Sequence, residues 1–91
     1  MLKFEWNADK AEDNLKKHGV GFEEAARAFA DPLSRTISDP DHSEEEDRFI
    51  LLGQGPTGRL LVVVHTEIGD TIRIISARLA AAHERRDYEN G

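Results

Sequence analysis

Between Arg48 and Ala77 the chain reads RFILLG, then RLLVVVHTE, then TIRIISA, three runs of β-forming residues parted only by QGPTG and IGD. Connections that short leave no room for a crossover helix, so neighbouring runs must return antiparallel. This segment therefore commits the protein to a sheet. Such a sheet needs helices to cover it.

The flanking segments supply them. LKFEW alternates, with Leu2, Phe4 and Trp6 on one side and Lys3 and Glu5 on the other, as a short strand with one buried face does. Asn7 is placed to cap a helix marked by Ala8, Ala11 and Leu15, which KHG ends at Gly19. Phe22, Ala25, Ala26 and Phe29 then fall at i, i+3, i+4 and i+7, and Asp31–Pro32 stops the pattern. The pair reads as a helical hairpin laid across the sheet. LSRTI is a weaker strand candidate. SDPDHSEEED, residues 38–47, is acidic, contains Pro40 and reads as an exposed loop, and RLAAAHERRDYE returns to helical spacing. The expected class is α+β: about four antiparallel strands with a helical hairpin and a C-terminal helix. Ninety-one residues make one domain, 1–91, because two cores would each fall below the size that folds unaided.

The chain has no cysteine, which excludes disulfides, thiolate metal sites and a cysteine nucleophile. Its four histidines show no i, i+4 pair and no zinc spacing, so neither a metal nor a cofactor is expected. The N-terminal MLKFEWNADK carries charges where a signal peptide needs an apolar stretch, and LLVVV is too short to cross a bilayer. A cytoplasmic protein without a membrane partner is expected.

Against a formal charge of −6, the last nineteen residues hold Arg73, Arg78, Arg85 and Arg86. A helix beginning near Arg78 places Arg78 and Arg85 on one face, about 10 Å apart along the axis, with Ala81 and Ala82 as a shallow floor between them. Two guanidiniums over small side chains suit an oxyanion such as phosphate. Tyr88, three residues beyond Arg85, reaches the same patch. The alternative is a solvated helix face with ion pairs worth well under 1 kcal/mol, and Arg86 fits that reading best, whereas Arg78, read as the end of a strand, is held by the sheet. In VVVHTE, His65 and Glu67 share a face, with Arg73 on the neighbouring strand, so His65 is a candidate proton carrier. A lone strand histidine is as often structural. His18, His42 and His83 have no such company.

FEW, KHGVGFEEA, RFILLG, LLVVVHTE and RIISARLAAAHERRDYE, in this order, resemble the BrnT family, the ribonuclease half of a bacterial toxin–antitoxin pair. The resemblance spans nearly the whole chain. It implies a RelE-like fold, a ribbon-helix-helix antitoxin partner of the BrnA kind in a hetero-oligomer, and contact with DNA only through that partner. It also implies metal-independent RNA cleavage that inhibits translation and growth. In such cleavage a 2′-hydroxyl attacks the adjacent phosphorus and basic side chains hold the developing charge, leaving a 2′,3′-cyclic phosphate and a 5′-hydroxyl. Carried onto this chain, the resemblance assigns Arg78 and Arg85 to the phosphate, His65 with Glu67 to proton transfer and Tyr88 to stacking or proton donation. Arg73 and Lys17 are expected on the RNA backbone.

One departure stands out. HTEIG replaces an expected HTERG, so Ile68 stands where an arginine is anticipated at the hairpin turn. A member slowed by that change and by the acidic loop would act as a catalytically silent co-repressor with its antitoxin. A third reading is a structural domain whose arginines make only surface pairs.

Overall fold

The computed structural model describes residues 2–40 and 47–91. Among these the order is β1 (Lys3–Glu5), α1 (Ala8–His18), α2 (Phe22–Ala28), β2 (Arg35–Ser38), β3 (Arg48–Gln54), β4 (Leu60–Ile68), β5 (Thr71–Leu79) and α3 (Ala82–Asn90). The strands form one sheet in the order β1-β5-β4-β3-β2. The α+β class is as expected, with five strands instead of about four. From β2 to β5 the pairing is antiparallel, whereas β1 runs parallel to β5. Only a tight turn enforces antiparallel return, and most of the chain separates β1 from β5.

Both helix ends around α1 follow from local chemistry. The Asn7 side chain accepts from the Lys10 amide at 3.1 Å, and Gly19, at φ 70°, closes the helix by donating to Leu15 O. On the same helix, however, Leu15 is 54% exposed while Asn14 is buried. Asn14 Nδ2 donates to Val20 O at 2.9 Å and Ala77 O at 2.8 Å, and its Oδ1 accepts from Ala77 N at 3.1 Å. The side chain thus satisfies the N–H and the C=O of Ala77 in β5, which burial demands.

Phe22, Ala25 and Ala28 of α2 pack with Val20 on Leu51, Leu61, Val63, Ile72, Ile74 and Ala77, and Phe4, Trp6, Ala11, Ala26 and Phe29 close the margin. Small residues let α2 approach closely: a Cβ on Gly53 of β3 would sit 2.9 Å from Ala28 O. A bulge sets the alternation of β5. Val64 pairs with Ser76 and His65 with Ile74, so Ile75 is the extra residue, and Ile74 and Ala77 both face the helices.

Alternation sends Leu52, Val62, Thr66, Arg73 and Arg78 to the opposite face. There α3 is tied at two points, Glu84 to Arg78 and Tyr88 to Asp31. Of the acidic segment expected as an exposed loop, Ser38 instead belongs to β2 and Asp39 is buried, its amide extending the ladder to Arg48 O at 2.8 Å. Residues 41–46, including His42, lie outside the described residues.

Candidate active site

Period two decides which residues share a site. His65 and Glu67 do share a face, with His65 Nε2 2.9 Å from Glu67 Oε2 and Nδ1 3.3 Å from Val63 O. That face is the one covered by helices. His65 has no exposed surface; its ring meets Phe29 edge-on at a centroid distance of 4.7 Å and stacks on Phe49 at 5.9 Å. Arg73, expected beside it, pairs in register with Thr66 and so points the other way.

Arg78 belongs to β5 and not to a helix, which overturns the expected seven-residue spacing with Arg85 on one helical face. Its guanidinium grips Glu84 through two bonds of 2.8 and 2.9 Å, and Glu84 Oε1 also accepts from the Ala81 amide at 2.7 Å. The Arg78 bonds outweigh the effect of burial and hold the Glu84 carboxyl down at about 2. Arg78 is thereby a clamp for the start of α3. Ala81 and Ala82 stand at that start, as the N-cap and first residue of α3.

Tyr88 points away from Arg85 in its chemistry: its hydroxyl donates to Asp31 Oδ2 at 2.6 Å. Burial raises the Asp31 carboxyl, but Tyr88 and the amides of Gln54 and Leu33 outweigh it and leave it below its ordinary value. The same bond, with burial, raises the phenol. Arg85 and Arg86 are exposed on α3 and make no side-chain bond to another described residue, and Lys17 is exposed in the last turn of α1. None of the three lines the cavity on the face opposite α1 and α2.

That cavity, of roughly 320 Å³, lies on the face opposite α1 and α2 and is lined by Arg48, Thr66, Arg73, Glu5, Lys10, Ile68, Thr71 and Ile75. Arg48 pairs with Thr66, Thr66 with Arg73 and Arg73 with Glu5. Four adjacent strands therefore contribute one lateral row of side chains, about 4.8 Å from strand to strand. Arg48 and Arg73 stand on either side of Thr66 in the row, Lys10 adds a third cation to the lining, and Glu5 ends the row. Sheet backbone fixes all four, which is the rigidity an anion site needs. Sequence reasoning named Arg73 but missed Arg48, Thr66, Glu5 and Lys10. The signal was there in principle, since aligning RFILLG against VVVHTE pairs Arg48 with Thr66, but it requires the register.

Ile68, at the lip of the cavity, is 78% exposed. Among the described residues no three His, Asp or Glu side chains gather as metal ligands, and no helix is long and apolar enough to cross a membrane.

Comparison with known proteins agrees with this architecture. A crystal structure of the Brucella abortus ribonuclease toxin, BrnT, superposes with a TM-score of 0.64 over 89% of this chain and 99% of that one, at 21% identity. At that identity the match speaks for the fold. No curated protein matches the sequence significantly. The profile of the family described as "Ribonuclease toxin, BrnT, of type II toxin-antitoxin system" matches residues 6–84, nearly the full length. The chain belongs to the BrnT family of ribonuclease toxins from type II toxin–antitoxin systems.

Proposed function

We propose that this chain is an endoribonuclease that cuts RNA without metal, through attack of a 2′-hydroxyl on the adjacent phosphorus, and so inhibits translation and growth. The observation that carries the reading is the row Arg48–Thr66–Arg73 across three paired strands, in a cavity on a chain of net charge −6. An acidic protein gains nothing in solubility from cations fixed around a concave site. A phosphodiester in transit to a cyclic phosphate accumulates charge on its non-bridging oxygens, and guanidiniums held in place beforehand stabilise that charge. Thr66 supplies a neutral donor between them.

In this reading Arg73 is the phosphate ligand, with Arg48 beside it. Arg78 positions α3, while Arg85 and Lys17 touch RNA only outside the cavity, along its backbone. His65 and Glu67 support the sheet, because an enclosed imidazole with both nitrogens engaged cannot meet a substrate. Tyr88 anchors α3, its proton held by Asp31. A type II toxin requires an antitoxin, and the partner proposed here is a BrnA-like ribbon-helix-helix protein in a cytoplasmic hetero-oligomer, through which alone the toxin meets DNA.

The test is cleavage of a labelled RNA by purified protein in EDTA. Arg73→Ala should lose activity by about two to three orders of magnitude, the scale for removing one donor to a developing oxyanion, and Arg86→Ala should cut like the parent. Ile68 favours a second reading, a silent co-repressor, because an exposed isoleucine replaces the expected arginine at the lip. A folded parent that cuts neither free nor ribosome-bound RNA, and whose release from the antitoxin leaves growth unaffected, would establish that alternative.

A further inference from the structure

The nuclease reading leaves one chemical demand unmet. Attack by a 2′-hydroxyl needs a group to take its proton, and with His65 enclosed on the opposite face no imidazole lines the cavity among the described residues. Among the described residues, four charged side chains line it: Arg48, Arg73, Lys10 and Glu5. Three are cations at neutral pH and have no proton-accepting site. Glu5 is the exception.

Its placement is as specific as its chemistry. Phe4 pairs with Ile72 on the helix-covered side, so Glu5 and its partner Arg73 both turn to the cavity. Cα partners on neighbouring strands stand about 4.8 Å apart, and a ribose 2′-oxygen sits on the carbon next to the one whose 3′-oxygen carries the phosphorus. A phosphate on Arg73 therefore leaves its 2′-hydroxyl within reach of the strands on either side of β5, of which β4 presents Thr66 and β1 presents the carboxylate. Glu5 is exposed and makes no hydrogen bond or ion pair with another described residue, so its carboxylate is open to a substrate.

We propose that Glu5 is the general base of the cleavage, an assignment that rests on the nuclease reading above. As the bond from the 2′-oxygen to phosphorus forms, the hydroxyl proton passes to the Glu5 carboxylate. The bond from phosphorus to the 5′-oxygen breaks, and that oxygen leaves with a proton drawn from water. Arg73 holds a non-bridging oxygen throughout. Glu5 then returns its proton to solvent, which closes the cycle without any further reactant.

The decisive comparison is between Glu5→Gln and Arg73→Ala, each shown by circular dichroism and melting to be folded like the parent. Both are assayed on an RNA substrate and on the same RNA with a 2′-deoxy residue at the cut position, which binds but cannot react. Glu5→Gln should lower kcat about 100-fold or more, the usual scale for a positioned base, with KM and affinity for the deoxy analogue unchanged. Glu5→Asp should recover part of the loss. Arg73→Ala should weaken analogue binding as well. If Glu5→Gln cuts within threefold of the parent while Arg73→Ala does not cut, the base is another group and the phosphate site stands. Equal loss of kcat and analogue binding in Glu5→Gln makes Glu5 a structural support and overturns the assignment. A parent without activity on any RNA removes the nuclease reading, and this base with it.

Discussion

His65 and Asn14 show how a polar side chain becomes part of a core. Each lies within an apolar layer, and each has its hydrogen-bonding atoms engaged: His65 with Glu67 and Val63, Asn14 with Val20 and both peptide groups of Ala77. Removing such a group leaves unpaired partners in place of a simple gap. Asn14→Ala is therefore expected to cost about 2–4 kcal/mol, whereas Leu15→Ala, one residue on and half-exposed, should cost under 1 kcal/mol. Urea denaturation of the two variants measures both; similar midpoints would refute the ranking. His65→Ala removes a ring fully enclosed between Phe29 and Phe49, and a loss of about 2–4 kcal/mol is expected. Its cleavage rate per folded molecule should change little. A collapse of activity in a protein of undiminished stability would return His65 to the chemistry.

At the scale of elements, α3 depends on its anchors, because none of its residues is buried. Arg78, Glu84, Tyr88 and Asp31 supply two of them. Glu84 sits at about 2 when folded against an ordinary 4.5. A depressed carboxyl contributes stability that is complete above the unfolded value and lost as pH falls through the folded one. The docking of α3 should accordingly weaken between about pH 4.5 and pH 2, and Glu84→Gln should abolish that part of the pH dependence. Because Arg78 is half-exposed, solvent screening keeps the pair to about 1 kcal/mol. The readout is hydrogen exchange in α3 against pH, in parent and variant. The same scale separates what local patterns reveal from what they cannot. The Asn7 cap, the Gly19 stop and the β3–β4–β5 meander were legible because neighbours within a few residues determine them. The parallel placement of β1 and the extra residue at Ile75 were not, since both depend on pairing between distant segments. Arg78 reads in the sequence as the end of a strand, and the fold keeps it there; what the sequence misplaces is the start of α3, which at Ala82 leaves Arg78 and Arg85 without a shared helical face.

The whole molecule carries a net charge of −6, yet its cavity is built from Arg48, Arg73 and Lys10, with Glu5 at one end. Register alone assembles them from three strands and a helix, so of the row only Arg73 could be named in advance. Repulsion at long range and attraction at short range predict slow encounter with RNA and strong dependence on salt. Ile68 is where this balance can be shifted without disturbing the core, being 78% exposed at the lip beside Thr71. Ile68→Arg adds one cation within reach of a phosphate adjoining that on Arg73. One added phosphate contact should steepen the slope of log affinity against log salt by about 0.7, the increment for a single strand. Affinity should rise at low salt and the gain should shrink as salt increases. Thermal stability should not move, since the isoleucine covers nothing. Titration of the 2′-deoxy RNA at several salt concentrations reads the slope directly. An unchanged slope in Ile68→Arg would mean that RNA does not pass over this lip, and would move its path along the same face towards α3, where Arg85 and Arg86 remain exposed.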